Sequence, residues 1–159
     1  IFAVIISSLT YLAHERNKAW ISDINLWKDA LEKAPGNARA HNNLGKAFGA
    51  VGRDSEAIIE FKKAIKLLPR YALAHMNVAI SYSKLDLPDE AESHFRQAVE
   101  FYPTLSDTYY NYGFFLYSQM RYKEAYEILT RYINLNPRGP FVPFTYKLLS
   151  DIEKRGYGK

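Results

Sequence analysis

Four prolines follow one another along this chain at a constant interval of 34 residues: Pro35, Pro69, Pro103 and Pro137. Two other series keep the same interval, namely Trp27, Phe61, Phe95 and Leu129, and Ala30, Ala64, Ala98 and Tyr132. Proline cannot continue a helix, because it lacks an amide N–H and clashes with the preceding turn. A fixed period of about 20 to 50 residues is typical of repeat architectures. The interval therefore predicts a chain of repeated helical units.

Each unit contains the residues expected of two packed helices joined by a turn. The recurring positions are Leu44, Val78 and Tyr112; Gly45, Ala79 and Gly113; and Ala57, Ala91 and Ala125. We expect the large residues to anchor a first helix, and the small ones to let a second helix approach closely. Gly52 and the segment 86–89 supply turn residues between the two helices. Each unit is thus predicted to be a helical hairpin.

These positions closely resemble those of the tetratricopeptide repeat family. The resemblance covers three full units, 38–71, 72–105 and 106–139, after a partial unit at 19–37 and before a predicted capping helix and tail at 140–159. The first family position, usually Trp, holds His41, His75 and Tyr109, and Tyr132 replaces a small alanine. The resemblance implies an all-α fold, a right-handed superhelical solenoid whose concave wall is built from the first helices.

Composition argues against several classes of function. The net charge is only +4, and Lys and Arg alternate with acidic residues instead of forming the stripe typical of nucleic-acid binders. Cysteine is absent, which excludes disulfides and thiolate metal sites. The chain has no phosphate-binding glycine loop, zinc-protease motif or nucleophile elbow. We therefore expect no nucleic-acid partner, no cofactor and no enzyme activity in this chain.

His41 and His75 occupy one position in successive units, a pattern that could indicate a shared metal site. Equivalent positions in neighbouring hairpins lie about one interhelical spacing apart, roughly 8–10 Å. Two ligands of one zinc ion each need to lie about 2 Å from it. These histidines are therefore predicted to be packing residues, and no metal site is expected.

One asparagine stands directly before each of the pairs Leu44-Gly45, Val78-Ala79 and Tyr112-Gly113, namely Asn43, Asn77 and Asn111. The family places this position on the concave wall. An amide side chain offers both a donor and an acceptor, so it can pair with the backbone of a bound peptide. The three residues resemble the asparagine ladder in the repeat domain of O-GlcNAc transferase. The resemblance implies a grip on an extended chain that does not read its sequence. Asn is also frequent at this family position, so a purely structural role stays open.

Neighbouring positions are predicted to complete a groove that binds a protein or peptide. They are basic and polar in the first full unit and aromatic in the last: Arg39, Asn42 and Lys46; Met76, Ile80 and Lys84; Tyr110, Phe114 and Tyr117. Aromatic residues are favoured anchors at protein interfaces. The alternative is that the last three rings pack against a helix at 144–155 or against a missing neighbour.

The chain opens at Ile1 with an apolar run to Leu9, and we expect it to be a fragment. A bilayer span needs roughly 20 apolar residues, so the run is too short alone. Because it has no polar stripe to face water, residues 1–18 are predicted to be the end of a membrane helix or a membrane-proximal segment. A buried first helix of the array is the alternative. The side of the membrane on which the repeats lie stays open.

The junction itself is similar to that of multi-spanning membrane proteins that carry C-terminal tetratricopeptide repeats. The similarity lies in Arg16–Trp20, Leu26-Trp27 and Pro35–Gly45. Eukaryotic members of that group act in protein O-mannosylation. Three hypotheses follow: a membrane-tethered scaffold that assembles a protein complex, the substrate-recognition tail of a membrane glycosyltransferase, and a repeat protein that self-associates through its groove.

Overall fold

The structure, a computed structural model, describes residues 23–158. This part of the chain contains eight helices and no strand, so the predicted all-α class is confirmed. The helices are α1 (23–33), α2 (Ala38–Ala50), α3 (Asp54–Leu67), α4 (Ala72–Lys84), α5 (Pro88–Phe101), α6 (Ser106–Ser118), α7 (Tyr122–Leu135) and α8 (Val142–Lys154).

The prolines of the 34-residue series lie where one hairpin gives way to the next. Helix α3 ends at Leu67, and Pro69 sits inside a turn closed by a 3.0 Å hydrogen bond from the Tyr71 amide to the Leu68 carbonyl. In the turn after α1, Asn37 caps α2, because its side chain accepts bonds from the Arg39 and Ala40 amides at 3.1 Å each. Successive hairpins therefore meet at turns that contain these prolines.

A second element with the same period lies between the two helices of each hairpin. Gly52, Asp86 and Met120 all adopt positive φ angles, of 78°, 57° and 59°. In the first of these turns the Arg53 amide donates to the Phe48 carbonyl at 3.0 Å, which reverses the chain. Sequence analysis identified the first two turns but did not single out Met120. A methionine gives no signal for a conformation that glycine favours.

Within each hairpin the helices approach closely at small residues. A Cβ atom added at Gly45 would lie 2.6 Å from the Phe61 ring, and one added at Gly113 would lie 2.6 Å from Leu129. Ala57 is fully buried on the facing helix. The sequence expectation that Gly45 allows close packing therefore agrees with the structure.

The hairpins stack side by side, and their first helices form the inner wall. Helix α2 contacts α4, and α4 contacts α6, while each second helix packs against the first helix of the next hairpin. Helices on the inside of a curved array are closer together than those on the outside, so α2, α4 and α6 line the concave wall. No helix among residues 23–158 is both long and apolar enough to cross a membrane. The apolar run at 1–9 lies outside the described residues.

A polar network joins the second and third hairpins. The Glu92 carboxylate on α5 accepts hydrogen bonds from Arg121, from Arg96 at 2.7 Å and from the Tyr112 hydroxyl at 3.1 Å. The hydrogen bond from Arg121 lowers the pKa of Glu92 to about 2. Burial, together with the Glu92 charge, raises the pKa of Tyr112 to about 12. This interface therefore depends on a charged carboxylate.

Tyr132 fastens the loop that leads into α8. Its ring is fully buried, and its hydroxyl oxygen accepts a 3.1 Å hydrogen bond from the Phe141 amide. Tyr110 packs against it and stacks on Phe141 with ring centroids 4.2 Å apart. Gly139 is needed beside this tyrosine, since a Cβ atom there would lie 2.4 Å from the Tyr132 hydroxyl oxygen. Replacing the family alanine with tyrosine thus anchors the capping helix.

Candidate peptide-binding groove

The structure places the twelve predicted groove residues on the first helices, but at different depths. Arg39, Lys46, Lys84 and Phe114 are exposed, and Asn43, Asn77, Ile80, Tyr110, Asn111 and Tyr117 are partly buried. Asn42 and Met76 are buried, with exposed fractions of 3% and 8%. Both residues were expected to line the groove. The structure corrects this expectation, because their side chains are covered and support neighbouring residues instead of facing the groove.

Asn42 and Met76 form a seam between successive first helices. The Asn77 side-chain amide donates to Asn42 Oδ1 at 2.9 Å, and the Asn111 amide lies 3.9 Å from the Met76 sulfur. Each contact joins residues 35 apart, so the seam repeats from one hairpin to the next. Sequence reasoning missed it, because both positions lie next to the groove and only the inter-hairpin packing shows that they are covered.

The three asparagines of the predicted ladder differ in how many of their side-chain groups are already hydrogen-bonded within the protein. Asn43 makes no side-chain hydrogen bond with the residues that the structure describes. Asn77 uses one donor on Asn42, while the Asn111 amide donates to the Asp107 carbonyl at 2.8 Å and is turned towards its own helix. Both retain side-chain oxygen atoms as acceptors. The ladder therefore stays a prediction, with Asn43 offering the fullest set of groups to a ligand.

The end of the groove formed by the first full unit is basic. Lys46 and Lys84 border a cavity of about 270 Å³ whose lining includes Asn77 and Ile80. The Lys84 ammonium lies 3.3 Å from the Asp54 carboxylate. Lys46 makes no ion pair within the described residues. An anionic group entering this cavity would therefore meet one lysine whose charge is not offset by a partner.

The other end of the groove is aromatic and is completed by the capping helix. Tyr110, Phe114 and Tyr117 face α8 across a cavity of about 320 Å³ lined also by Phe144, Lys147, Leu148 and Asp151. Phe114 and Phe144 remain 52% and 62% exposed. The side chains of α8 were not among the predicted groove residues, since the helix was assigned only a capping role.

The aromatic residues of α6 divide between packing and exposure. Tyr110 stacks on Phe141, and burial raises its pKa. The Tyr117 hydroxyl donates to the Asp151 carboxylate at 2.7 Å, which raises the pKa of this tyrosine. Phe114 alone keeps a broad exposed face between them. The alternative in which the rings pack against the last helix therefore agrees with the contact of Tyr117, whereas Tyr110 stacks on Phe141 in the loop before α8.

The residues at the first family position are buried and bonded inside the protein. His41 Nε2 and His75 Nε2 lie 3.0 Å from the Pro35 and Pro69 carbonyls, and the Tyr109 hydroxyl donates to the Pro103 carbonyl at 2.9 Å. These bonds tie each first helix to the turn before it. Among residues 23–158 no group of three or more histidine, cysteine or acidic side chains is placed to hold a metal ion.

Comparisons with known proteins agree with this geometry. Residues 38–71 match a family described as tetratricopeptide repeat, and residues 72–139 match one described as YpiA-like, C-terminal tetratricopeptide repeats. No curated protein matches the chain in sequence.

Solved structures with the same fold share little sequence with this chain. MamA is 23% identical, with a TM-score of 0.75 over 90% of this chain and 83% of that one. A thermophilic repeat protein of Thermus thermophilus is 20% identical, with a TM-score of 0.74 over 80% and 71%. The first repeat domain of Spaghetti, bound to an HSP90 peptide, is 22% identical, with a TM-score of 0.69 over 74% and 94%. These likenesses show the solenoid fold.

Proposed function

Because residues 38–139 are tetratricopeptide repeats, we propose that this chain is a protein-interaction module that holds an extended peptide or a partner helix in its concave groove. The observation that carries the proposal is the pair of exposed rings, Phe114 and Phe144, beside the cavity between α6 and α8. Exposed aromatic rings in a recess are favoured anchors for a partner. The peptide held by Spaghetti supports this use of the fold.

Asn43 supplies the part of the proposed grip that does not depend on ligand sequence. Its amide can donate to a peptide carbonyl and accept from a peptide N–H, because neither group is bonded to the described residues. Asn77 contributes its free oxygen and second N–H beside it. This arrangement supports a grip on the main chain near the first unit, with side-chain recognition left to the aromatic end.

The test begins with ligands selected from a display library of random 12-residue peptides on the immobilised wild-type protein. Calorimetric titration of several selected peptides then compares wild type with Asn43→Ala. One net hydrogen bond contributes about 0.5–1.5 kcal/mol, so the variant should bind all of them about 2- to 13-fold more weakly. The variant in which alanine replaces Asn43, Asn77 and Asn111 together should lose about 2–4 kcal/mol of binding free energy, which is a roughly 30- to 1000-fold loss of affinity.

The single variant is the cleaner test, because Asn77→Ala also breaks the buried bond to Asn42. Ile59→Ala is a matched control, since Ile59 is exposed on α3, away from the inner wall. Failure to select any peptide would contradict the interaction function itself. Selected peptides that bind Asn43→Ala as tightly as wild type would contradict the main-chain grip alone.

We also propose that the array is tethered to a membrane through residues 1–18, on the basis of their apolar composition. The full chain should sediment with phospholipid vesicles, and a chain lacking residues 1–13 should stay in the supernatant while keeping its helical circular-dichroism spectrum. A deletion that unfolds the array would assign the segment to its core instead. Vesicle binding that survives the deletion would place any membrane contact elsewhere.

The similarity of residues 16–45 to the membrane O-mannosylation proteins supports a narrower version, in which the partner is a glycosyltransferase substrate. The groove would then hold the acceptor protein while a separate domain performs the transfer. Self-association is the competing use of the same groove. Sedimentation velocity separates them, because a groove-mediated dimer should dissociate on Phe114→Ala and a substrate tail should be monomeric in both forms.

A further inference from the structure

The charged side chains along the inner wall are unevenly paired. Arg39, Lys46 and Lys147 make no ion pair with the described residues, whereas the Asp54 carboxylate is bonded to Lys84 and the Asp151 carboxylate to Arg155. Asp54 and Asp151 are thus already balanced, whereas Asp107 on α6, at the position that Arg39 holds on α2, makes no ion pair with the described residues, so three unpaired cations outnumber one unpaired carboxylate. The surface is therefore complementary to a ligand with negative charge.

The two cavities in the groove differ in chemistry. The first, of about 270 Å³, has Lys46 and Lys84 at its rim and Phe61 and Ile80 among its lining residues. That combination suits the carboxylate and short aliphatic stem of an aspartate or glutamate. The second, of about 320 Å³, is lined by three aromatic residues of α6 and by Phe144, Lys147, Leu148 and Asp151 of α8, so apolar side chains outnumber the two charged ones. It suits a large apolar side chain.

The distance between the two cavities determines how many residues of an extended peptide lie between them. Lys46 and Phe114 hold the same position in hairpins two units apart. Neighbouring helices lie about 8–10 Å apart, so the two positions are separated by about 16–20 Å along the wall. An extended chain advances about 3.3 Å per residue, so five or six residues cover this distance.

From these observations we infer that the partner segment is an acidic peptide with one aromatic or large aliphatic anchor, placed five or six residues from an aspartate or glutamate. The anchor enters the cavity between α6 and α8, and the acidic side chain lies against Lys46. This inference rests on the proposed function and adds the chemistry of the ligand to it. Helix α8 then does more than cap the array, because Phe144 and Leu148 form half of the anchor site.

The peptides selected from the random library test this inference directly. The selected pool should be enriched in sequences that pair an acidic residue with an aromatic or large aliphatic one at this separation. Fluorescence anisotropy of one such labelled peptide should show about two- to fivefold weaker binding to Lys46→Gln and at least about fivefold weaker binding to Phe114→Ala. Binding should also weaken as salt is added.

Matched variants identify which contact is lost. Lys66→Gln and Ile59→Ala, both on the exposed face of α3, should bind like wild type. A peptide in which glutamine replaces the acidic residue should bind Lys46→Gln and wild type equally. A peptide in which alanine replaces the anchor should likewise bind Phe114→Ala and wild type equally.

The outcomes separate the two proposals. A pool without the acidic and apolar pair, or one whose peptides ignore both Lys46→Gln and Phe114→Ala, overturns this inference and leaves groove binding intact. An empty pool overturns both. A circular-dichroism spectrum for each variant ensures that a loss of binding is not a loss of fold.

Discussion

At the scale of single residues, the turn between the two helices of each hairpin shows how one conformation is met by three residue types. Gly52 adopts a positive φ at no steric cost, whereas Asp86 and Met120 adopt it with a side chain present. The left-handed conformation costs an ordinary residue about 1–2 kcal/mol. Met120 is 74% exposed, so its side chain gains little packing in return.

Met120→Gly is therefore expected to stabilise the protein by roughly 1 kcal/mol, because it relieves the strained backbone at little loss of contact. Part of the gain is offset by the greater freedom of glycine in the unfolded chain. Urea unfolding followed by circular dichroism measures the change, and Gly52→Ala should shift the midpoint in the opposite direction. A lower midpoint for Met120→Gly would show that the methionine side chain contributes more than its exposure indicates.

His75, which is buried, and His94, which is partly buried, form a pair whose protonation is constrained by geometry. The Pro69 carbonyl can only accept, so His75 Nε2 carries a proton, and His75 Nδ1 accepts from His94 Nδ1 at 2.9 Å. Burial lowers the pKa of His75. Burial, the His75 charge and Lys62 lower the pKa of His94 to about 4. Tyr82 stacks on the His94 ring and helps to exclude water.

This pair predicts a loss of stability under mild acid. Both pKa values in the folded protein lie below the ordinary value of 6.5, so the unfolded chain binds more protons as the pH falls. Stability should be complete above about pH 6.5 and decrease towards pH 5, before most carboxylates titrate. His94→Asn keeps an amide donor near His75 and removes one titrating group. Urea midpoints that fall as steeply for this variant as for wild type would exclude His94 as a cause.

At the scale of the element, each hairpin depends on close approach between its two helices. Ala57→Leu should destabilise the protein by about 1–3 kcal/mol, because Ala57 is fully buried and its neighbours cannot move freely. Ala50→Leu on the exposed surface of α2 is the matched control and should change little. Thermal unfolding compares the two, and an unchanged transition for Ala57→Leu would contradict the packing of α2 on α3.

How far the sequence could predict these elements depends on whether a contact lies within one unit or between units. The period of the prolines and the small residues at Gly45 and Ala57 report packing inside a hairpin, and the structure agrees with them. The burial of Asn42 and Met76 depends on the next hairpin, which no local pattern reveals. Tyr132 was recognised as a departure, but its bond to the Phe141 amide requires the fold of the loop.

At the scale of the whole molecule, the two ends of the array differ in kind. The groove begins with lysine and asparagine side chains on α2 and ends with aromatic rings shared between α6 and α8. The interfaces between hairpins differ too, since the one between the second and third hairpins contains the ion pair of Glu92 with Arg121. A ligand that spans the groove would therefore have a defined direction, set by which end carries its acidic side chain.

The seam of residues 35 apart determines how such a chain could lengthen in evolution. Suppose that a copy of residues 72–105 were inserted directly after the original unit. The copied Asn77 would then lie beside the original Met76, in the place that Asn111 occupies in the present chain. The Met76 of the duplicate would in turn meet Asn111, so no new kind of seam contact is created. A duplicate of 106–139 would instead separate the original Tyr110 from Phe141, on which it stacks. Recombination can thus add a unit in the middle of the groove, while the aromatic end acts as a terminus.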